Sequence, residues 1–268
     1  MKIAQFTVGA LLWSNASNAF VQLGRSSQSS LSPQNAATIG PGFGVTVEKK
    51  NAVDGLTLSV AQSKEKLLDL LPRMTGKEEE FRTVEALVNN LEANYQPAQT
   101  LDFLNLVLQG EWQLLFSTNL SGTPNPAKFR LRELFQRIEC HKLEGKLINE
   151  ATWDLAEQGD GHFECSGTFT VDCSYKINQG ARMILNLDEH ILKPAKGTKI
   201  PKDVPALVGL LHRAMPKEMF DPADHAIDTT YLDGDLRIAR HTGPRLEGVR
   251  DIFIRRGSLK INPVSTDE

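Results

Sequence analysis

Among its 268 residues the chain has only three cysteines, its net charge is −3, and the apolar run Ile3–Trp13 is short. Cys140, Cys165 and Cys173 cannot all pair with one another, and neither CxxC nor a zinc-type Cys/His spacing occurs, so they are expected as small core residues in a reducing compartment. A Cys165–Cys173 disulfide is the sharper alternative, disfavoured because the two residues lie far apart along one extended segment. The slightly acidic balance leaves no electrostatic footprint for nucleic acid. Ile3–Trp13 falls well below the roughly 20 residues a membrane-spanning helix needs.

Motifs for chemistry are equally scarce. There is no GxSxG nucleophile elbow, and no Ser, His and acid set stands out. Gly40-Pro41-Gly42-Phe43-Gly44 is not a phosphate loop, because no strand precedes it and no helical pattern opens on it. Asp221, Asp224, His225 and Asp228 make the tightest cluster of carboxylates and imidazole, but they surround a Pro-interrupted turn, and no metal is assigned to them. Asp188, Glu189 and His190 read as a solvated strand end. No catalytic residue, metal or cofactor is assigned.

What the chain does have is alternation. Trp112, Leu114 and Phe116 share one face of a strand whose side chains switch sides at every residue. Leu147, Ala151, Trp153 and Leu155 repeat the pattern with one polar exception, Asn149. From Phe163 to Ile177 the odd positions, among them Cys165, Phe169, Val171 and Tyr175, are apolar apart from Gly167, and the even ones polar. At about 3.3 Å per residue that segment would be roughly 50 Å long, so a bulge or bend at Gly167, or a curved barrel strand, is expected. Several strands with one apolar and one polar face close most simply into an antiparallel barrel or sandwich. The turn containing Gly243-Pro244 is expected to pair Leu236–Arg240 with Ile252–Arg256.

Helices precede the strands. Val60 to Leu71 carries Leu67, Leu68, Leu70 and Leu71 and stops at Pro72. Thr75, three residues before Glu78, is the expected cap of a second helix whose stripe is Phe81, Val84, Leu87, Val88 and Leu91. Two further segments have amphipathic spacing. Leu131, Leu134, Phe135 and Ile138 fall at helical intervals among Lys128, Arg130, Arg132 and Arg137, which fits a short basic helix that either caps a barrel or touches a membrane surface. Pro205 to Phe220 fits a second lip of a barrel opening or buried packing.

Two stretches together resemble a known family. Thr229-Thr230-Tyr231-Leu232-Asp233-Gly234-Asp235-Leu236-Arg237-Ile238-Ala239-Arg240, then Asp251-Ile252-Phe253-Ile254-Arg255-Arg256, is similar to the closing signature of the plastid lipid-associated proteins, or fibrillins. Gly110-Glu111-Trp112-Gln113-Leu114-Leu115-Phe116-Ser117-Thr118 resembles their opening strand. The resemblance implies a mainly β, lipocalin-like antiparallel barrel with an N-terminal helical appendage. It also implies a non-enzymatic role at thylakoids or plastid lipid droplets, binding or shielding an apolar lipid, carotenoid or quinone. Alternatives are an enzyme on the same barrel, which a buried His or paired carboxylates would favour, and a coat or assembly protein with a filled barrel.

The same comparison shapes several expectations. Asp233-Gly234 alone would signal a tight hairpin, but the family usually carries Glu where Gly234 stands, and Glu would be strained at positive φ, so one bent strand is expected there. As in lipocalins, Trp112 is expected at the closed end under an arginine, Arg237 or Arg240, with Arg240 favoured because it shares parity with Leu236 and Ile238. Strand parity makes Trp112, Leu114, Phe116, Ala151, Trp153, Phe163, Phe169 and Val171 the candidate lining. Residues 1–19 read as a signal peptide ending at Ala19, and residues 20–47, with Phe20 first and no acid before Glu48, resemble the transit segment of a complex-plastid leader. Residues 48–97 are then the helical appendage, 98–260 the barrel and 261–268 a tail. The sequon at Asn119 is expected to be unused.

Overall fold

A computed structural model describes residues 58–98, 100–119, 126–178, 181–223 and 225–256; the leader, with Ala19 and Phe20, lies outside them. Helices α1 (Val60–Leu70), α2 (Glu78–Ala93) and α3 (Leu101–Leu108) come first. Strands β1 (Gly110–Ser117), β2 (Phe129–His141), β3 (Glu144–Leu155), β4 (Cys165–Ile177) and β5 (Met183–Pro194) follow. Then come helices α4 (Val204–Ala214) and α5 (Lys217–Phe220), and strands β6 (Ala226–Leu232), β7 (Leu236–Thr242) and β8 (Arg250–Arg255). The eight strands close antiparallel in chain order, β8 pairing back onto β1.

The ring is uneven. β2, β3 and β4 pair along nearly their whole lengths, whereas β5 meets β6 only at Met183↔Ile227 and Ile184↔Ala226. Beyond that seam α4 and α5 lie against the interior, where Leu207, Leu211, Met215 and Met219 join the barrel core.

A second apolar cluster lies outside the barrel. Leu67, Leu71, Val84, Leu87, Val88 and Leu91 of the helical layer cover Leu236, Ile238 and Ile252 on the outer face of β7 and β8. Both helices expected before the barrel are present. The cap of α2 differs, because Glu80 rather than Glu78 accepts hydrogen bonds, from the backbone N–H groups of Thr75, Gly76 and Lys77 at 2.8, 2.8 and 3.0 Å. Helix α3 has no counterpart in the sequence reading; Thr100 caps it, accepting from Phe103 N–H at 3.3 Å.

Two local expectations are overturned. Leu131 to Ile138 is strand, not helix. The register of β2 against β3 shifts between Leu131 and Glu133, and this bulge turns a period-2 pattern into one that mimics helical spacing. Leu131, Leu134 and Ile138 therefore face the core, and Phe135 lies on the outer side beneath the Arg256 guanidinium, 4.5 Å from its ring centre. Asp233-Gly234-Asp235 is a hairpin turn between β6 and β7, not a bend in one strand. Asp233 Oδ1 accepts from the N–H groups of Asp235 and Leu236 at 2.8 Å each, and Asp233 N–H donates to Leu236 O at 3.0 Å. This Asx turn does not need positive φ at Gly234, which removes the objection to a hairpin.

Candidate functional site

Strand parity holds through β3 and β4. Ala151, Trp153, Phe169 and Val171 are buried in the interior cluster with Trp112, and Leu114 packs against it. The β3–β4 register runs unbroken through Gly167↔Trp153; the bulge falls instead between Asp172 and Cys173 on the β5 side. Gly167 serves a different purpose, since a Cβ there would stand 2.6 Å from Trp153 Cζ2 and 2.3 Å from Lys193 O.

Two proposed lining residues lie elsewhere. A bulge between Leu114 and Phe116 in the β1–β8 pairing reverses parity, so Phe116 packs outward under the helical layer, 6.2 Å from Phe81. Phe163 precedes β4, and the Arg130 guanidinium sits 4.5 Å above its ring.

The arginine assignment at the closed end is also corrected. Arg240 points outward, donating to Glu92 of α2 through Nε at 3.0 Å, because the face it shares with Leu236 and Ile238 is covered by helices rather than turned to the core. Arg237 is the inward one, yet neither covers Trp112. Arg255 does, 4.3 Å from the indole ring, while donating to Gly234 O at 2.6 Å, Gln109 O at 2.9 Å and Val107 O. The indole N–H donates to Leu108 O at 2.8 Å, so α3 completes the closure.

Inside the apolar wall runs a polar core that sequence reasoning largely missed. Arg237 Nη1 donates to Gln136 Oε1, Gln136 Nε2 to Asn149 Oδ1 at 2.9 Å, and Asn149 Nδ2 to Met219 O at 3.0 Å, so the chain of bonds crosses the barrel and ends on α5. Glu218 of α5 accepts from Ser117 Oγ and Asn119 Nδ2, both at 2.7 Å. That contact engages the half-buried Asn119 amide. His241 Nε2 meets Asp251 Oδ2 at 2.8 Å, and the His225 ring lies 5.2 Å from that of His241.

Burial dominates the acid–base behaviour of this core. It raises Glu218 to about 7 and Asp251 to about 6, each held up further or down by neighbours of lesser weight, and it lowers His225 and His241 to about 4. Arg237 is lowered by burial to about 10 and stays cationic at neutral pH. Asn149 was a visible signal, as a polar residue on an apolar parity. Arg237, Ala239 and His241 also share parity, as do Asp251 and Phe253, but nothing in one sequence says which parity of a two-sided buried strand faces the core.

Other candidates are dispersed. Asp228 is paired with Arg182 at 2.7 Å, and among the described residues no group of three His, Cys, Asp or Glu side chains could hold a metal. Cys140, Cys165 and Cys173 are free thiols, the latter two buried. A half-open cleft of about 330 Å³ lies outside the wall beside the β5–β6 seam, lined by residues that include Tyr95, Leu104, Arg182, Asp228 and Thr229. Among the described residues no helix is long and apolar enough to cross a membrane.

A ring of eight antiparallel strands, with helices at one end and along one gap and a mostly apolar interior, belongs to the broadly lipocalin-like class of β folds. The PAP_fibrillin family model matches residues 61–246, and the chain belongs to this family of plastid lipid-associated proteins. No curated protein and no solved structure gives a match.

Proposed function

We propose that this protein binds single apolar or amphiphilic molecules, such as an acyl lipid, prenylquinone or carotenoid, inside its barrel, at thylakoids or plastid lipid droplets. The observation that carries this reading is the two-pair seam between β5 and β6, beside which α4 and α5 fill the interior mainly through side chains such as Leu207, Leu211 and Phe220. A short ladder backed by apolar contacts is the part of the ring that separates at least cost, since few backbone hydrogen bonds must break. Burial of ligand surface then supplies roughly 25 cal/mol per Å².

The test is fluorescence of the mature protein, in which Trp112 and Trp153 are both fully buried in the interior. A polyene or quinone entering there quenches both and saturates at about one ligand per chain, and native mass spectrometry after mild isolation retains a lipid mass. If no apolar ligand quenches and no lipid co-purifies, the interior does not take ligand.

One observation favours a second reading. Trp112, Trp153, Tyr175, Phe129, Phe169 and Phe253 are all fully buried, so side chains already occupy much of the axis, as in a coat or assembly protein acting through its outside. The buried histidines and carboxylates meet the stated condition for the enzyme alternative, and His241 Nδ1, both His225 ring nitrogens and Asp251 Oδ1 have no hydrogen-bond partner. Ser117 and Asn119 take both Glu218 oxygens, which locks α5 to the wall, while His241 Nε2 and Asp251 Oδ2 tie β7 to β8.

A further inference from the structure

Arg237 has no exposed surface, takes part in no ion pair among the described residues, and uses only Nη1, toward Gln136. Its Nε and Nη2 have no hydrogen-bond partner. These two N–H groups share one edge of the guanidinium and point in parallel, the fork that a carboxylate fills with its two oxygens. A buried guanidinium with that edge empty is costly, because buried polar groups are normally satisfied and buried charges paired. The interior acids do not fill it: Asp251 gives Oδ2 to His241 and, although its Oδ1 has no partner, makes no ion pair with Arg237, and Glu218 is bonded to Ser117 and Asn119.

We propose that Arg237 anchors the carboxylate of a long-chain acid on its Nε–Nη2 edge, with the hydrocarbon chain lying along the interior wall past Trp112 and Phe253. This rests on the interior-binding reading above and specifies its ligand class. The Phe253 ring, 5.1 Å from the guanidinium, holds the fork in place from the side. A doubly charged phosphate is disfavoured, because one cation must serve it in an interior that already contains Asp251 and Glu218. A neutral quinone or hydrocarbon would leave the fork empty.

The probes are cis-parinaric acid and its methyl ester, which differ only in the carboxylate, with dodecyl phosphate as competitor. The parent is expected to bind the acid at least tenfold more tightly than the ester, and dodecyl phosphate to compete poorly. In Arg237→Gln, which keeps a polar partner for Gln136, the ratio of acid to ester affinity falls to about one. Arg237→Lys retains the charge without the fork and serves if the Gln variant does not fold; its ratio is expected to drop severalfold. Equal binding of acid and ester by the parent, or an unchanged ratio in either variant, overturns the anchor and leaves interior binding standing. Failure of both probes to bind overturns interior binding itself, and tight competition by dodecyl phosphate replaces the carboxylate by a phosphate head.

Discussion

Charged side chains hold this barrel together both at its half-exposed closed end and in its buried interior. Arg255 lies over Trp112 and donates to three backbone carbonyls from Val107, Gln109 and Gly234, so one side chain ties α3, β1 and the β6–β7 turn together. Hydrogen bonds from a charged donor contribute about 1.5–3 kcal/mol each when buried, less where solvent competes, and the cation–π contact about 0.5–2 kcal/mol. Arg255→Met is therefore expected to lower stability by about 2–4 kcal/mol and to shift tryptophan emission, both measured in urea titrations; a loss below about 1 kcal/mol would mean that solvent replaces these bonds. Glu218 gives a pH-dependent prediction. Its carboxyl, raised from 4.5 to about 7, keeps its proton in the folded state over a range where the unfolded chain has lost it, so this group makes stability fall as pH rises through that window. His225 and His241, lowered from 6.5 to about 4, act oppositely, because there the unfolded chain binds the extra protons and stability rises with pH. With Asp251 raised from 3.8 to about 6, two rising and two falling contributions nearly cancel between pH 4.5 and 6. Glu218→Gln removes one falling contribution, so the stability of the variant relative to the parent should grow from pH 5 to pH 8 by on the order of 2 kcal/mol. Denaturation curves at the two pH values check this, and a constant gap between variant and parent would show that Glu218 ionises normally.

At the scale of elements, alternation was readable wherever the strand stayed regular and misleading wherever one residue bulged. β3 and β4 pair without a shift over twelve residue pairs, and each inward residue expected within them is inward. In β1 and β2 a single extra residue reverses parity, which sent Phe116 outward and gave Leu131, Leu134, Phe135 and Ile138 a helical spacing they do not use. A bulge has no fixed residue signature in one sequence, so these errors follow from the physics of pairing rather than from composition. The Asp233 turn was misjudged because backbone strain was assigned to Gly234, whereas the turn is held by the Asp233 carboxylate, which also takes Lys64 Nζ at 2.8 Å and Tyr231 OH at 2.9 Å. A Cβ built on Gly234 meets no atom within 4 Å. Gly234→Glu is accordingly expected to change stability by less than about 0.5 kcal/mol, and Asp233→Ala to cost about 2 kcal/mol or more by releasing the turn, Lys64 and Tyr231 together. Thermal unfolding of the two variants decides between the accounts: a large loss in Gly234→Glu with a small one in Asp233→Ala would restore glycine as the governing residue.

For the whole molecule, the arrangement depends on one sheet region being buried on both faces. β7 and β8 present Arg237, Ala239, His241, Asp251 and Phe253 to the interior and Leu236, Ile238 and Ile252 to the helical layer, so the more polar face is the inward one and alternation points the wrong way. Glu92 fastens that layer, accepting from Arg240 Nε at 3.0 Å and Thr230 Oγ1 at 2.6 Å. The far side is fastened differently. There β5 loses β6 after two pairs, and α5 closes the gap with Phe220 stacked on Phe169 at 5.3 Å, edge-on to His212 at 4.7 Å, and with His190 Nε2 bonded to Phe220 O at 2.8 Å. If ligands enter by displacing α4 and α5, the height of that barrier depends on how tightly Phe220 is packed. Phe220→Ala should then raise the association rate of a polyene severalfold in stopped-flow quenching, because the contacts it removes are ones broken on the way in. Stability should fall by about 3 kcal/mol, as for other large-to-small changes in a core, so the rates must be compared at a temperature where parent and variant are both fully folded. An unchanged rate would place the entrance elsewhere, with the cleft beside the Arg182–Asp228 pair the next position to probe; absence of uptake by both proteins would leave the barrel as a filled scaffold whose lipid contacts are external.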